Sequence, residues 1–171
     1  MAETMRIAES YFQRLLRDTP APEAVSELAG MWQPRITDAG PLFGLSRPEH
    51  CVEMVRLYTG EVGNGGHVQF FLNQRGNVSR HVGAALRELG LGDLLEIFQA
   101  ACALFPSSTV PALLEDVERV VAGWSKAERD ALNDLDPRVW DFPDLENQLL
   151  DYLRRNEEQI LREERGLPSI S

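Results

Sequence analysis

Cysteine is scarce in this chain, which has only Cys51 and Cys102, far apart in apolar stretches. Isolated thiols in such surroundings are usually buried small hydrophobic residues, so we predict no disulfide. The chain also lacks any run of about 18 apolar residues, and we therefore expect no transmembrane helix and no membrane partner. The N-terminus carries mixed charge and does not have the pattern of a signal peptide, so we expect a cytoplasmic protein.

Residues suited to metal binding or catalysis are also few. His50 and Cys51 are adjacent and so point to different faces, and neither His67 nor His81 has an acid four residues further on. The glycines of residues 63–66 are not followed by Lys-Ser or Lys-Thr, so they do not form a phosphate-binding loop. Neither cysteine lies beside a basic cluster. We predict no cofactor, no metal site and no catalytic residue, and the sequence favours a protein that is not an enzyme.

Basic residues are in short supply in the second half of the chain. The whole chain has 27 acidic and 17 basic residues, which gives a formal net charge of −10. Residues 1–90 hold ten acids and nine bases, whereas residues 91–171 hold seventeen acids and eight bases. This shortage of cations argues against direct nucleic-acid binding, because phosphate contacts need lysine and arginine. It is compatible with a basic protein partner, or with solubility alone.

No segment shows the alternation typical of β-strands, and there is no internal repeat. Apolar residues recur at helical spacing between proline and glycine stops, which predicts an all-α fold. We expect a single compact domain over residues 1–171, with about eight to ten helices around a buried central helix. That helix, Leu94 to Phe105, is apolar nearly all round. A core that carries the glycine-rich motif described below covers about residues 51–106, and an acidic C-terminal half covers residues 107–165.

Caps and stops predict several helix bounds. Residues 34–48, which hold three prolines, are expected to form an irregular connection. A capping box at Ser125 to Glu128 begins a helix predicted to end near Leu135, because Asp136-Pro137 is typical of a turn. A single long helix from about Pro143 to Arg165 is expected to close the chain.

A glycine-rich motif in the middle of the chain is its least ordinary feature. Residues 61–76 read Glu-Val-Gly-Asn-Gly-Gly-His-Val-Gln-Phe-Phe-Leu-Asn-Gln-Arg-Gly. Three glycines within four positions favour a tight corner between two helices, since glycine reaches positive φ at little steric cost. Gln69 and Asn73 share one stripe of the following helix, beside two phenylalanines. These amides either tie down the corner or line a pocket, because an unsatisfied buried amide costs roughly 1–3 kcal/mol.

This motif resembles the signature of a bacterial all-helical family that includes a DNA-mimic protein. The shared pattern is Glu-Val-x-Asn-Gly-Gly-x-x-Gln-Phe-Phe-x-Asn-x-x-Gly, and the similarity continues from Ala85 to Pro106. Two positions differ from the usual pattern, since Gly63 replaces a polar residue and His67 replaces an aromatic one. The resemblance implies an acidic all-helical domain in a family whose members mostly have no assigned role.

The densest charge lies between Glu115 and Glu146, where ten acids stand against four bases. Carboxylates three or four residues apart on a helix lie about 5–6 Å from each other, which is of the same order as the spacing of phosphates along a DNA strand. Together with the resemblance, this suggests an acidic protein that binds a basic, DNA-binding protein as a DNA mimic. The expected contacts are Asp116, Glu118, Asp130, Asp134, Asp136 and Asp144. A merely solvated surface is the alternative.

Two other functional hypotheses stay open. One is a small-molecule or enzymatic pocket at the motif, with Glu61 and His67 as an acid–base pair. Its residues would be Glu61, Asn64, Gly65, Gly66, His67, Gln69, Phe70, Asn73 and Gly76. The other is an immunity-type inhibitor of a basic toxin, which would use the same acidic surface. Homodimerisation would lengthen the array of carboxylates, although no residue by itself requires it.

Overall fold

The structure is a computed structural model that describes residues 10–39 and 44–164. Within these ranges it has helices and no strand, so the predicted all-α fold is confirmed. The described α-helices are α1 (Tyr11–Asp18), α2 (Ala21–Ala39), α3 (Arg47–Glu88), α4 (Gly92–Cys102), α5 (Leu114–Gly123), α6 (Lys126–Trp140), α7 (Leu145–Arg155) and α8 (Glu157–Glu164). A short 3₁₀ turn, Pro106–Ser108, follows α4. No helix in these ranges combines the length and apolar character needed to span a membrane.

The chain divides into two compact units. We call residues 50–143 the central unit, and the described residues before 50 and after 143 the terminal unit. In the terminal unit, α2 packs on α1 and α7. Its buried carboxylate, Glu49, accepts hydrogen bonds from the Trp32 indole at 2.8 Å and from Arg35 at 2.9 and 3.1 Å. The single domain expected from the sequence stays a prediction.

The central unit is built around α3, which is helical apart from breaks at Gly65–Gly66 and at Arg75. The first break is the predicted glycine corner. Around it runs a chain of edge-to-face aromatic contacts, with ring centroids 4.8–5.4 Å apart. The rings belong to Tyr58, Phe70, Phe71, Phe98, Phe105 and Trp124. Such contacts in a buried core are worth about 0.5–1.5 kcal/mol each beyond the area they bury.

α4 contributes one face to this core. Its buried residues are Leu94, Ile97, Phe98, Ala101 and Cys102. Glu96 and Gln99 are exposed on the other side. The helix ends at Cys102, three residues before the predicted end at Phe105.

The predicted end of α6 near Leu135 is wrong. The capping box at Ser125 and Glu128 is present, but α6 continues through Asp136 and Pro137 to Trp140. A residue before proline normally avoids the helical region because of a clash with the proline ring. Here the Asp136 side chain is bound by another part of the central unit, and that tertiary contact offsets the local preference.

Two other predicted bounds also differ from the structure. α2 extends to Ala39 and contains Pro34, so residues 34–39 are helical and the predicted irregular connection is wrong for them. The last helix is interrupted at Asn156, whose side-chain amide donates to the carbonyl of Tyr152. Its predicted end, Arg165, lies outside the described residues.

Candidate functional site

Gly66 forms the turning point of the corner. Its φ of 75° and ψ of 178° lie in a region that is essentially restricted to glycine. A Cβ atom at Gly66 would also lie 2.4 Å from Oδ2 of Asp136. Glycine is therefore required twice, for the backbone conformation and for the close approach of a carboxylate from α6.

The carboxylate that approaches Gly66 holds His67. Oδ1 of Asp136 accepts the main-chain N–H of His67 at 3.1 Å and lies 2.5 Å from its Nδ1. On the other side of the ring, Nε2 of His67 lies 2.8 Å from the Tyr58 hydroxyl. His67 and Tyr58 are fully buried, and Asp136 is 8% exposed. We call these three residues the buried triad.

Burial lowers the pKa of His67, and the Asp136 carboxylate only partly opposes this effect. Burial also raises the pKa of Tyr58 well above its ordinary value, so its hydroxyl keeps the proton. A neutral imidazole satisfies every partner: Nδ1–H donates to Asp136, and Nε2 accepts from Tyr58. Although Asp-His-hydroxyl is also the order of a catalytic relay, the hydroxyl at its end belongs to Tyr58, which is fully buried and out of reach of a substrate. The buried triad therefore joins α6 to the glycine corner.

A second contact joins α6 to α3 near the corner. The indole Nε1–H of Trp140 donates to the carbonyl oxygen of Val62 at 2.8 Å. Trp140 lies one helical turn after Asp136, so two successive turns of α6 are bound to residues on either side of Gly66. This arrangement sets the position and the rotation of α6.

The amides of the motif converge on Glu61. Its carboxylate accepts hydrogen bonds from Gln69 at 3.1 Å, Asn73 at 2.9 Å and Gln74 at 2.9 Å. Burial by itself would raise the pKa of Glu61, but these three hydrogen bonds outweigh it and the pKa is lowered. We call these residues the Glu61 cluster. They bridge the corner, because Glu61 precedes the glycines and the three amides follow them.

At the C-terminal end of the motif, the backbone of Gly76 lies close to the backbone of Val110 and Pro111. The main-chain N–H of Gly76 donates to the carbonyl of Pro111 at 2.8 Å. A Cβ atom at Gly76 would lie 2.1 Å from the carbonyl oxygen of Val110. Gly76 thus lets the segment before α5 lie directly against α3.

The nine residues of the predicted motif pocket lie in different surroundings. Glu61, Gln69 and Asn73 meet in the Glu61 cluster, whereas His67 and Phe70 point into the core. The other members are apart from both groups: Asn64 and Gly65 are exposed, Gly66 faces Asp136 and Gly76 faces Val110. His67 bonds to Asp136 and Tyr58, so the acid–base pair with Glu61 is not formed.

Sequence reasoning missed three partners of the motif. Tyr58 and Gln74 both lie on α3, where helical spacing alone assigns Tyr58 to the core and places Gln74 on the same stripe as His67. Asp136 lies 69 residues from His67 in the chain, and no spacing rule connects them. The only local feature of Asp136 is that it directly precedes a proline, and this pattern predicts a turn instead of a buried contact.

The predicted acidic contacts also lie in different surroundings. Asp136 was expected on the exposed face, and this is corrected by its burial in the triad. Asp116 pairs with Arg119 at 2.7 Å and Asp130 pairs with Lys126 at 2.5 Å, both at the protein surface. Asp144 belongs to the terminal unit, where it has a left-handed backbone and accepts from Asn147.

Glu118 on α5 and Asp134 on α6 are exposed and have no ion pair within residues 10–39 and 44–164. Two further exposed acids, Glu115 and Asp141, share this property. We call Glu115, Glu118, Asp134 and Asp141 the free carboxylates. In the same described ranges, no group of three His, Cys, Asp or Glu side chains is arranged to hold a metal ion.

A model of the DMP19-like protein family matches residues 44–156, which is more than half of the chain. The chain belongs to the DMP19-like family. This family includes a DNA-mimic protein, and the resemblance stated from the motif is therefore confirmed at the level of the family. No curated protein and no solved structure matches this DMP19-like chain. The family match spans all of the central unit, including the corner and the free carboxylates.

Proposed function

We propose that this DMP19-like protein is a DNA mimic that binds the basic, DNA-binding surface of a protein partner through α5 and α6. The observation that carries this proposal is the exposure of the free carboxylates, which make no ion pair with any cation in the described residues. An exposed carboxylate without an internal partner keeps its full charge for an approaching cation. The family supports the same function.

The spacing of these acids suits the proposal. Glu115 and Glu118 are three residues apart on α5, and Asp130 and Asp134 are four apart on α6. Such neighbours lie about 5–6 Å from each other. This distance is of the same order as the spacing of successive phosphates along a DNA strand. The ion pair between Asp130 and Lys126 is exposed and hence weak, so a partner's arginine can replace the lysine.

The anchoring of α6 to the glycine corner also supports the proposal. A mimic gains affinity when its charges are held in place before binding, because little conformational entropy is then lost. Asp136 and Trp140 bind α6 to the corner on its inner side, while Asp134 and Asp141 are exposed. The family motif therefore has a role in this function, since it fixes the helix that carries the charge.

The test is capture of DNA-binding proteins on the immobilised protein at low ionic strength. We expect a basic partner that is released by moderate salt and displaced by duplex DNA, because both compete for the same electrostatic contacts. Capture of a basic toxin that duplex DNA does not displace would instead support the immunity-type hypothesis.

A charge-matched pair of variants makes this test specific. Glu118→Gln with Asp134→Asn removes two free carboxylates from α5 and α6. Asp93→Asn with Glu96→Gln removes two exposed carboxylates from α4 in the same unit. The first pair should weaken partner binding about tenfold or more and reduce its salt dependence, whereas the second should change it little. Equal effects of the two pairs, or binding that ignores salt, would overturn the proposal.

A further inference from the structure

A cavity of about 310 Å³ lies on the central unit, and none of the free carboxylates lines it. Its walls come from the last part of α3, from α4, and from the end of the 3₁₀ turn with the two residues that follow it. Small-molecule sites usually have volumes of about 300–1,000 Å³ and combine an apolar lining with a few polar groups. This cavity is at the small end of that range.

The charge of the cavity is opposite to that of the whole protein. Arg80 and Arg87 line it, and no acidic residue does, although the chain carries a net charge of −10. Both arginines are exposed and have no hydrogen bond or ion pair in the described part of the chain. Seven residues apart, they lie on one side of α3, separated by about 10 Å along the helix axis.

The apolar part of the cavity depends on small residues of α3. Gly83 and Ala84 line it opposite Leu95 and Phe98 of α4. A Cβ atom at Gly83 would lie 3.3 Å from the Phe98 ring, so glycine makes room for the ring. The small residues lie on α3, which also carries the two arginines, and the apolar residues lie on α4. Together they leave an apolar space between the two helices.

The remaining wall, residues 108–110, contains two hydroxyl side chains and follows a strained stretch of backbone. Ser108 and Thr109 line the cavity, and Ser107 and Ser108 have φ values of 55° and 53°. Positive φ is uncommon outside glycine and tends to occur near binding sites. Cys102 also lines the cavity, and burial raises the pKa of its thiol to about 12, so the thiol adds no negative charge.

We propose that this cavity binds a small organic anion with an apolar body. The carboxylate or phosphate head is held by Arg80 or Arg87 with the hydroxyl of Ser108, and the body packs on Leu95 and Phe98. At about 30 Å³ per non-hydrogen atom, the volume accommodates roughly ten such atoms. This site uses none of the free carboxylates, so it does not depend on the proposed DNA mimicry.

Octanoate has a suitable size, and octanamide is its uncharged counterpart of nearly equal shape. In a titration followed by amide chemical shifts, we expect saturable binding of octanoate below about 1 mM. The shifts should be largest at the lining segments, residues 79–87, 95–102 and 108–110. Octanamide should bind about tenfold more weakly, because it lacks the charge-assisted hydrogen bond to an arginine.

Substitutions separate the head site from the apolar space. Arg80→Gln with Arg87→Gln should weaken octanoate about tenfold or more and leave octanamide unchanged, with the melting temperature retained. Arg138→Gln, an exposed arginine of α6 that does not line the cavity, is the control and should have no effect. Ala84→Leu should weaken both ligands, because it fills the space.

Several outcomes would overturn the proposal. One is equal affinity for octanoate and octanamide. Another is unchanged octanoate binding in the double arginine variant or in Ala84→Leu. A third is the absence of saturable octanoate binding up to about 10 mM. The proposal would also fail if Arg138→Gln weakened octanoate binding as much as the double arginine variant does, since this would show a general effect of positive charge.

Discussion

Carboxylates at the glycine corner and carboxylates on the outside of α5 and α6 belong to the same unit, and their surroundings are opposite. At the corner, Glu61 receives three amide donors and Asp136 receives a ring N–H and a main-chain N–H. On the helices, Glu118 and Asp134 are exposed, with no ion pair in the described residues.

This contrast shows that acidity alone does not define a binding surface. A carboxylate that is buried, as Asp136 is, or half-buried, as Glu61 is, needs donors that replace the water it has lost, and its charge then holds the fold together. An exposed carboxylate stays hydrated and remains available to a cation from another molecule. Asp134 and Asp136 are two residues apart on one helix, and they fall on opposite sides of this division.

Replacing Asp136 should have the largest effect on stability. Asp136→Ala leaves the Nδ1–H and the main-chain N–H of His67 buried without acceptors, at a cost of about 2–4 kcal/mol. Asp134→Ala, on the same helix, should cost less than about 0.5 kcal/mol. Asp136→Asn should fall between them, because its side-chain oxygen still accepts. Urea unfolding measures all three, and similar losses for Asp134→Ala and Asp136→Ala would remove the contrast.

Substitution of Gly66 should come next. Gly66→Ala introduces both a forbidden backbone conformation and a clash with Asp136, and we expect a loss of about 2–3 kcal/mol. Gly90→Ala is the matched control, because Gly90 also has a φ of 75° but no atom lies within 4 Å of its would-be Cβ. It should cost only about 1–2 kcal/mol. Equal losses in thermal unfolding would mean that the approach of Asp136 is not tight.

The buried triad should also make stability dependent on pH. Because the pKa of His67 is lowered in the folded protein, the unfolded chain binds a proton first as the pH falls below 6.5. The stability contributed by His67 is therefore complete above that pH and is lost as the pH falls through the folded pKa, by at most about 1.4 kcal/mol per pH unit. Imidazole NMR signals should show His67 neutral at pH 6.5. A His67 that is already protonated there would contradict the proposed tautomer.

The smallest effect on stability is expected at the surface. Glu118→Gln with Asp134→Asn should change the free energy of unfolding by less than about 0.5 kcal/mol, because neither carboxylate has an internal partner to lose. The same variant has the largest expected effect on partner binding. A clear loss of stability would show that these two acids, like those of the corner, hold the fold together.

Much of this arrangement was accessible from the sequence. Apolar spacing predicted helices, and three glycines within four residues predicted the corner in α3. Both signals are local, because a helix face and a positive φ are properties of neighbouring residues. The capping box at Ser125 was predicted for the same reason, since its two partners are three residues apart.

The roles of the individual acids were not accessible in this way. Asp136 was predicted to be exposed, and the helix was predicted to end just before it. Only the packing of α6 against the corner brings His67 and Asp136 together, across 69 residues of chain. Which charges are satisfied inside and which remain outside is a property of that packing.

By itself, then, the sequence determined the helical class, the glycine corner, the excess of negative charge and the resemblance to a family that includes a DNA mimic. The tertiary structure alone decided that Asp136 is a buried anchor while Asp134 is a free carboxylate, and that two arginines share a cavity in an acidic protein. The physical reason is that burial and hydrogen bonding depend on residues distant in the chain, whereas helix formation depends on near ones.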